Sequence, residues 1–104
     1  MSDKPRMTKP TIKVLEALLV DPAREYYGLE LRTATGVGNG TLYPRLAELE
    51  SYGWLESRWE IPEVPGGRPP RRYYRLTDEG AARARAELAR VSRRTGRLRA
   101  LSGG

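Results

Sequence analysis

The breaks in this sequence constrain its fold more than any other feature. Asp21-Pro22, the run Gly36-Val37-Gly38-Asn39-Gly40, Gly53 and the proline-rich stretch 61–71 each interrupt regular structure, so everything before residue 77 must be built from short elements. Thr8 followed by Pro10 forms a helix start, a capping hydroxyl with proline in the first turn. Ile12, Leu15, Leu18 and Leu19 recur behind it at helical spacing, which predicts a first helix over about 8–20. A second fits about 26–35, with Tyr27, Leu31 and Ala34 on one face and Gly36 free to take the left-handed conformation that ends it. A third fits about 40–52, where Leu42, Leu46 and Leu49 point inward and Gly53 is the stop. Pro44 is expected in or near the first turn of that helix, because deeper in it would remove a hydrogen bond.

After Gly53 the period changes from helical to alternating. Residues 54–60 and 72–76 read as two strands of a hairpin, and the connection 61–71 is too long and proline-rich for a tight turn, so it should project as a loop. Thr77-Asp78-Glu79 caps a final helix with acids at its positive end; this helix should run to about 95, with Gly96 and the closing Ser-Gly-Gly as a frayed end. The fold class is therefore mainly α with a small β-hairpin (α+β). The expected division is a flexible arm over 1–7, a main domain over 8–76, a C-terminal helix over 77–100 and a flexible tail over 101–104.

What is missing narrows the chemistry. Without a cysteine or a histidine there are no disulfides, thiol nucleophiles, Ser-His triads or zinc sites with nitrogen or sulfur ligands, and no cofactor is implied. Glu48/Glu50 and Asp78/Glu79 are carboxylate pairs in name only, since each sits among helix-surface or capping residues with no other polar catalytic groups nearby in sequence. A chain of 104 residues is the length of one domain. No run approaches the ~20 apolar residues of a membrane span, and the first residues lack the apolar stretch of a signal peptide, so a cytoplasmic location with no membrane partner is expected. The net charge is +6, and it is concentrated late: residues 1–76 carry 12 Lys/Arg against 10 Asp/Glu, residues 77–104 carry 7 Arg against 3 acids. Arg68, Arg71, Arg72 and Arg75 form an acid-free block. Such a stripe suits a polyanion such as nucleic acid; the plain alternative is a solvated surface.

Two short helices joined by a glycine-containing turn, the second amphipathic, match the helix-turn-helix arrangement that offers a helix to the DNA major groove, and an arginine-studded hairpin adds a wing. With the leucines inward, Gly40, Thr41, Pro44, Ala47, Glu48 and Ser51 face outward, small enough for close approach to base edges. The candidate DNA contacts are Asn39, Thr41, Tyr43, Pro44 and Arg45 on the third helix and Arg68, Arg71 and Arg72 in the wing, where prolines lower the ordering cost. Two alternatives stay open: Tyr43 packing under the wing, and Arg45 pairing with Glu48 or Glu50. Trp54, Trp59 and Tyr74 read as hairpin packing rather than as stacking platforms for bases.

The stretches Gly40-Thr41-Leu42-Tyr43-Pro44-Arg45-Leu46, Leu49-Glu50-Ser51-Tyr52-Gly53 and Gly67-Arg68-Pro69-Pro70-Arg71-Arg72-Tyr73-Tyr74-Arg75-Leu76-Thr77-Asp78-Glu79-Gly80 resemble, in order and spacing, the PadR family of bacterial transcription regulators. The resemblance covers about residues 8–80. It implies a winged helix-turn-helix, a dimer built with the C-terminal helix, and repression relieved by a small molecule or another signal, with a small-molecule effector at the dimer interface. Tyr27 stands where many members have histidine, and the C-terminal portion is short, as in the smaller subgroup.

Spacing points to the same dimer. Ala81, Ala84, Leu88, Val91, Thr95 and Leu98 step by threes and fours along one side of the last helix, a coiled-coil-like seam, while Arg83, Arg90, Arg94 and Arg97 occupy the rest. Ala84, Leu88, Val91 and Leu98 are the expected dimer contacts. A twofold dimer would hold two recognition helices about one DNA turn apart, ~34–36 Å. The expectation is a homodimeric regulator of transcription that binds double-stranded DNA, a repressor on a palindromic operator; the alternative is a winged-helix protein-interaction module, antirepressor-like, without specific DNA binding.

Overall fold

The computed structural model describes residues 3–102, with side chains through Arg97. The element order is α1 (Lys9–Leu19), β1 (Tyr26–Tyr27), α2 (Gly28–Thr35), α3 (Asn39–Ser51), β2 (Leu55–Trp59), β3 (Arg72–Leu76) and α4 (Asp78–Ser102). Thr8 caps α1, its hydroxyl oxygen accepting from the Thr11 N–H at 3.4 Å while Pro10 sits in the first turn. The Thr11 hydroxyl, fully buried, in turn accepts from the Thr8 hydroxyl at 3.0 Å, so burial leaves no polar group stranded there.

The expected second helix is shorter than its pattern. Tyr26 and Tyr27 form β1, whose antiparallel pairing with β3 sets Tyr26 opposite Tyr74 and Tyr27 opposite Tyr73 and completes a three-stranded sheet in the order β1-β3-β2. Leu31 is buried, but Tyr27 belongs to the sheet and Ala34 is exposed, so the proposed Tyr27-Leu31-Ala34 face does not exist. Gly36 ends α2 with φ 72°.

On α3 the leucine periodicity fixes the packing. Leu42, Leu46 and Leu49 are all 0% exposed and meet Val14, Leu15 and Leu18 of α1 and Leu31 of α2 in one core. Pro44 lies in the second turn of this helix rather than the first. The Gly40 carbonyl four residues earlier therefore has no N–H to receive, a loss tolerated because this turn is exposed to water.

The junction between α3, the sheet and α4 is tight. Trp54 is buried, and its carbonyl accepts from the Thr77 N–H at 3.0 Å. The Thr77 hydroxyl donates to the Gly53 carbonyl at 2.7 Å and caps α4 by accepting from the Gly80 N–H at 2.9 Å. Gly80 lies directly on the Trp54 backbone; a Cβ there would fall 2.6 Å from its carbonyl carbon.

Several expected boundaries shift. The arm is docked over its described part: Pro5 is buried, Met7 packs on the core and Lys4 donates to Glu87 of α4 at 2.9 Å. Gly96 does not end α4, which continues through Leu101 and Ser102; one glycine in an exposed helix costs only about 1 kcal/mol. Gly103 and Gly104 lie outside the described residues, as does the side chain of Leu98. Ala84, expected at a dimer contact, is 0% exposed inside the core of its own chain, because α4 begins against β3 and α1. Leu88 is partly buried against the same core, and Val91 is half-buried. Among the described residues no helix is long and apolar enough to cross a membrane.

Two substitutions check this packing. Leu46→Ala should lower stability by about 2–5 kcal/mol, as expected of a fully buried leucine, and Gly80→Ala, which drives a methyl into backbone, should cost about 1–3 kcal/mol; thermal or denaturant unfolding reads both.

Candidate nucleic-acid interface

The outer face of α3 carries small and short side chains because the inner face is taken up by leucine. Asn39, Gly40, Thr41, Pro44, Ala47 and Ser51 are exposed, and the helix starts at an open turn in which the Thr41 and Leu42 N–H groups donate to the Gly38 carbonyl at 3.0 and 2.8 Å. Arg45 is half-buried at the flank of this face. It makes no ion pair among the described residues, and neither its Nε nor Oε1 of Glu48 has a hydrogen-bond partner, so the alternative pairing within α3 is not formed. Glu50 points away, accepting from the Ser57 hydroxyl at 2.7 Å and lying 3.7 Å from the Arg72 guanidinium.

Tyr43 packs against α2 while staying partly exposed. It is 43% exposed, yet its phenol lies over Gly28 at the start of α2, where a Cβ would sit 2.8 Å from Cζ. Beside it is a groove of about 500 Å³ lined by Tyr27, Tyr43, Trp59, Arg71 and Arg72. Thus α3 and the wing share one concave surface.

The wing arginines fall in two places, Arg71 and Arg72 at this groove and Arg68 in another cleft. Arg72 lies on the α3 side, where its guanidinium donates to the Ser57 hydroxyl at 2.8 and 3.2 Å and lies 5.2 Å from the Trp59 ring centre. Arg68 is on the opposite side of the hairpin and is not brought together with Tyr43. It pairs with Glu60 at 2.8 Å, in a separate cleft with Arg58 and Tyr73. That hydrogen bond holds the Glu60 carboxyl below its ordinary range. Arg58 acts likewise on Glu25 at 2.6 Å, and Arg75 pairs with Glu56, its register partner across β2 and β3. The arginine block that looked free in sequence is mostly matched by acids: Arg68 by Glu60 just past β2, Arg72 by Glu50 of α3 and Arg75 by Glu56 of β2. Trp54 and Tyr74 are buried as expected, but Trp59 is 59% exposed at the groove, a departure from its expected packing role. The residues missed by sequence reasoning are Tyr27, which lines the groove, and Gly28, on which the Tyr43 phenol sits.

Comparison with known proteins agrees with this geometry. The profile of the Transcriptional regulator PadR-like family matches residues 17–86. No curated protein sequence matches the chain. Among solved structures, a PadR family transcription regulator from Clostridium difficile superposes with a TM-score of 0.74 at 22% identity, covering 93% of this chain and 100% of that one. A PadR-like transcription factor from Bacteroides fragilis gives 0.68 at 26% identity, covering 88% of each chain. The PcaV transcriptional regulator from Streptomyces coelicolor, solved in complex with its natural ligand, gives 0.70 at 26% identity over 90% of this chain and 62% of that one.

The seat of Tyr43 is directly testable. Gly28→Ala should displace the phenol and cost about 1–3 kcal/mol in unfolding experiments, and Tyr43→Ala in the same background should recover part of that loss by removing the clash.

Proposed function

The chain belongs to the PadR-like family of transcriptional regulators, and on that premise we propose that it is a cytoplasmic homodimeric repressor that binds a palindromic double-stranded DNA operator. Family membership makes it a regulator of transcription rather than an enzyme. The observation that carries the reading is the pairing of a sealed face with an open one on α3: three leucines fully buried, and Asn39, Thr41 and Pro44 exposed beside a groove shared with the wing. In this reading residues 8–76 bind DNA and 77–100 join the copies. Asn39, Thr41, Tyr43, Pro44 and Arg45 enter the major groove, while Arg68, Arg71 and Arg72 meet the backbone or the adjacent groove. Arg68 can do so only by sharing or opening its pair with Glu60.

Support for the dimer comes from α4. Past Ala84 its apolar side has little of its own chain to cover it, and a shallow groove of about 340 Å³ between α1 and α4 is lined by Ile12, Leu88, Val91 and Thr95. A second copy would cover that strip, with Leu88 and Val91 at the centre and Leu98 further along. A small-molecule effector has its place at the same interface in this reading.

Selection of bound sequences from a random duplex pool should return a palindrome with half-sites about one turn apart; retention of no duplex would instead favour the protein-interaction reading. Leu88→Asp and Val91→Asp should both give monomers by light scattering and bind the selected duplex far more weakly. Dimers that persist in both variants would place the interface elsewhere.

A further inference from the structure

Of the four arginines that end the wing, Arg68, Arg72 and Arg75 each lie within 4 Å of a carboxylate. Arg71 has no such partner among the described residues. Its guanidinium lies instead 4.2 Å from the centre of the Tyr27 ring. The two kinds of partner leave different things behind. A carboxylate cancels the charge and occupies N–H donors, whereas an aromatic face takes only the flat side of the guanidinium and leaves its rim of five donors and its full charge available.

Tyr27 is itself held firmly. Its backbone pairs with Tyr73 in the sheet, its N–H donates to the Glu30 carboxylate at 3.1 Å, and its ring meets that of Tyr73 edge-on with centres 6.0 Å apart. The next residue, Gly28, seats the Tyr43 phenol. One dipeptide at the start of α2 therefore touches both halves of the concave surface, the α3 tyrosine through Gly28 and the wing cation through Tyr27. Both side chains line the same groove. An arginine tip that is charged, unpaired and already ordered loses less freedom on meeting an anion than a solvated one does.

We propose that Tyr27 is a positioning residue that orders Arg71 at the groove, and that Arg71 there takes one backbone phosphate of duplex DNA, with the Tyr43 hydroxyl as its neighbouring donor. This rests on the DNA-binding reading above. Of the wing arginines, Arg71 is then the principal anchor, ahead of Arg68, whose charge is matched by Glu60.

The test is anisotropy of a labelled duplex carrying the selected sequence, titrated with full-length protein over a salt series. Arg71→Ala should weaken binding about tenfold and make the salt slope shallower by about one. Arg71→Lys should keep the slope but lose affinity, since an ammonium has no planar face to stack. Tyr27→Ala should cost about threefold, and adding Arg71→Ala to it should cost clearly less than the same change in the wild type. Tyr27→Phe, which keeps the ring, should bind as wild type. Wild-type affinity and slope in Arg71→Ala, wild-type affinity in Arg71→Lys, or full additivity of the Tyr27 and Arg71 changes would overturn the proposal. The Arg71 variants decide it alone if Tyr27→Ala does not fold. A wild-type chain that binds no duplex would overturn the DNA reading itself, whereas a wild-type chain that binds while Arg71→Ala is unchanged overturns only this inference.

Discussion

One backbone contact fixes how the parts of this molecule sit together, the meeting of Gly80 with the Trp54 carbonyl. Trp54 follows α3 by three residues and opens the hairpin, and Gly80 lies in the first turn of α4, so a single point registers three elements. Thr77 closes it, its N–H and hydroxyl donating to the carbonyls of residues 53 and 54 and its hydroxyl accepting from the Gly80 N–H. The contact is possible only because position 80 has no Cβ. With the start of α4 pinned to the end of α3, the direction in which α4 leaves the core is set by the same residues that orient α3. In the proposed dimer, any change in the angle between two α4 helices would therefore be transmitted to the spacing of two α3 helices.

Burial changes steadily along α4 as a result. Ala81 and Ala84 are absorbed into the core, Leu88 and Val91 are half covered, and residues 92–97 are exposed. A domain this small has a thin core to begin with, and further apolar burial is worth about 25 cal/mol per Å². The ion pairs across the outer face of the sheet do little to offset that thinness, since exposed pairs contribute only about 0–1 kcal/mol each. Their effect is geometric: Glu56 with Arg75 and Glu25 with Arg58 hold long side chains in place and tie strand register to charge order.

How much was legible in the sequence depended on whether a signal was local. The α3 leucines, the Thr8 and Thr77 caps and the Gly36 stop are spacing or single-residue signals, and all appear in the structure as read. The strand Tyr26–Tyr27 was not legible, because two residues cannot display alternation and the pairing that defines them lies nearly fifty positions away in β3. The matching of arginines to acids failed for a related reason. Sequence order separates the acidic run from the basic one, and only antiparallel register brings Glu56 opposite Arg75. Pro44 was misplaced by a rule that ranks a lost hydrogen bond above all else, whereas an exposed turn bears that loss with water. The role of Gly28 under Tyr43 could have been suspected only from the juxtaposition of a tyrosine and a glycine on neighbouring helices, which no spacing rule encodes.

The two tryptophans were read alike from sequence and end in opposite environments. Trp54 is 1% exposed at the junction that organises the fold, and Trp59 is 59% exposed at the rim of the groove, 5.2 Å from the Arg72 guanidinium. With no other tryptophan in the chain, its intrinsic emission has a shielded component and a solvent-facing one, separable by an aqueous quencher. The first follows unfolding and the second follows what occupies the groove, so the unlabelled protein carries its own pair of optical reporters.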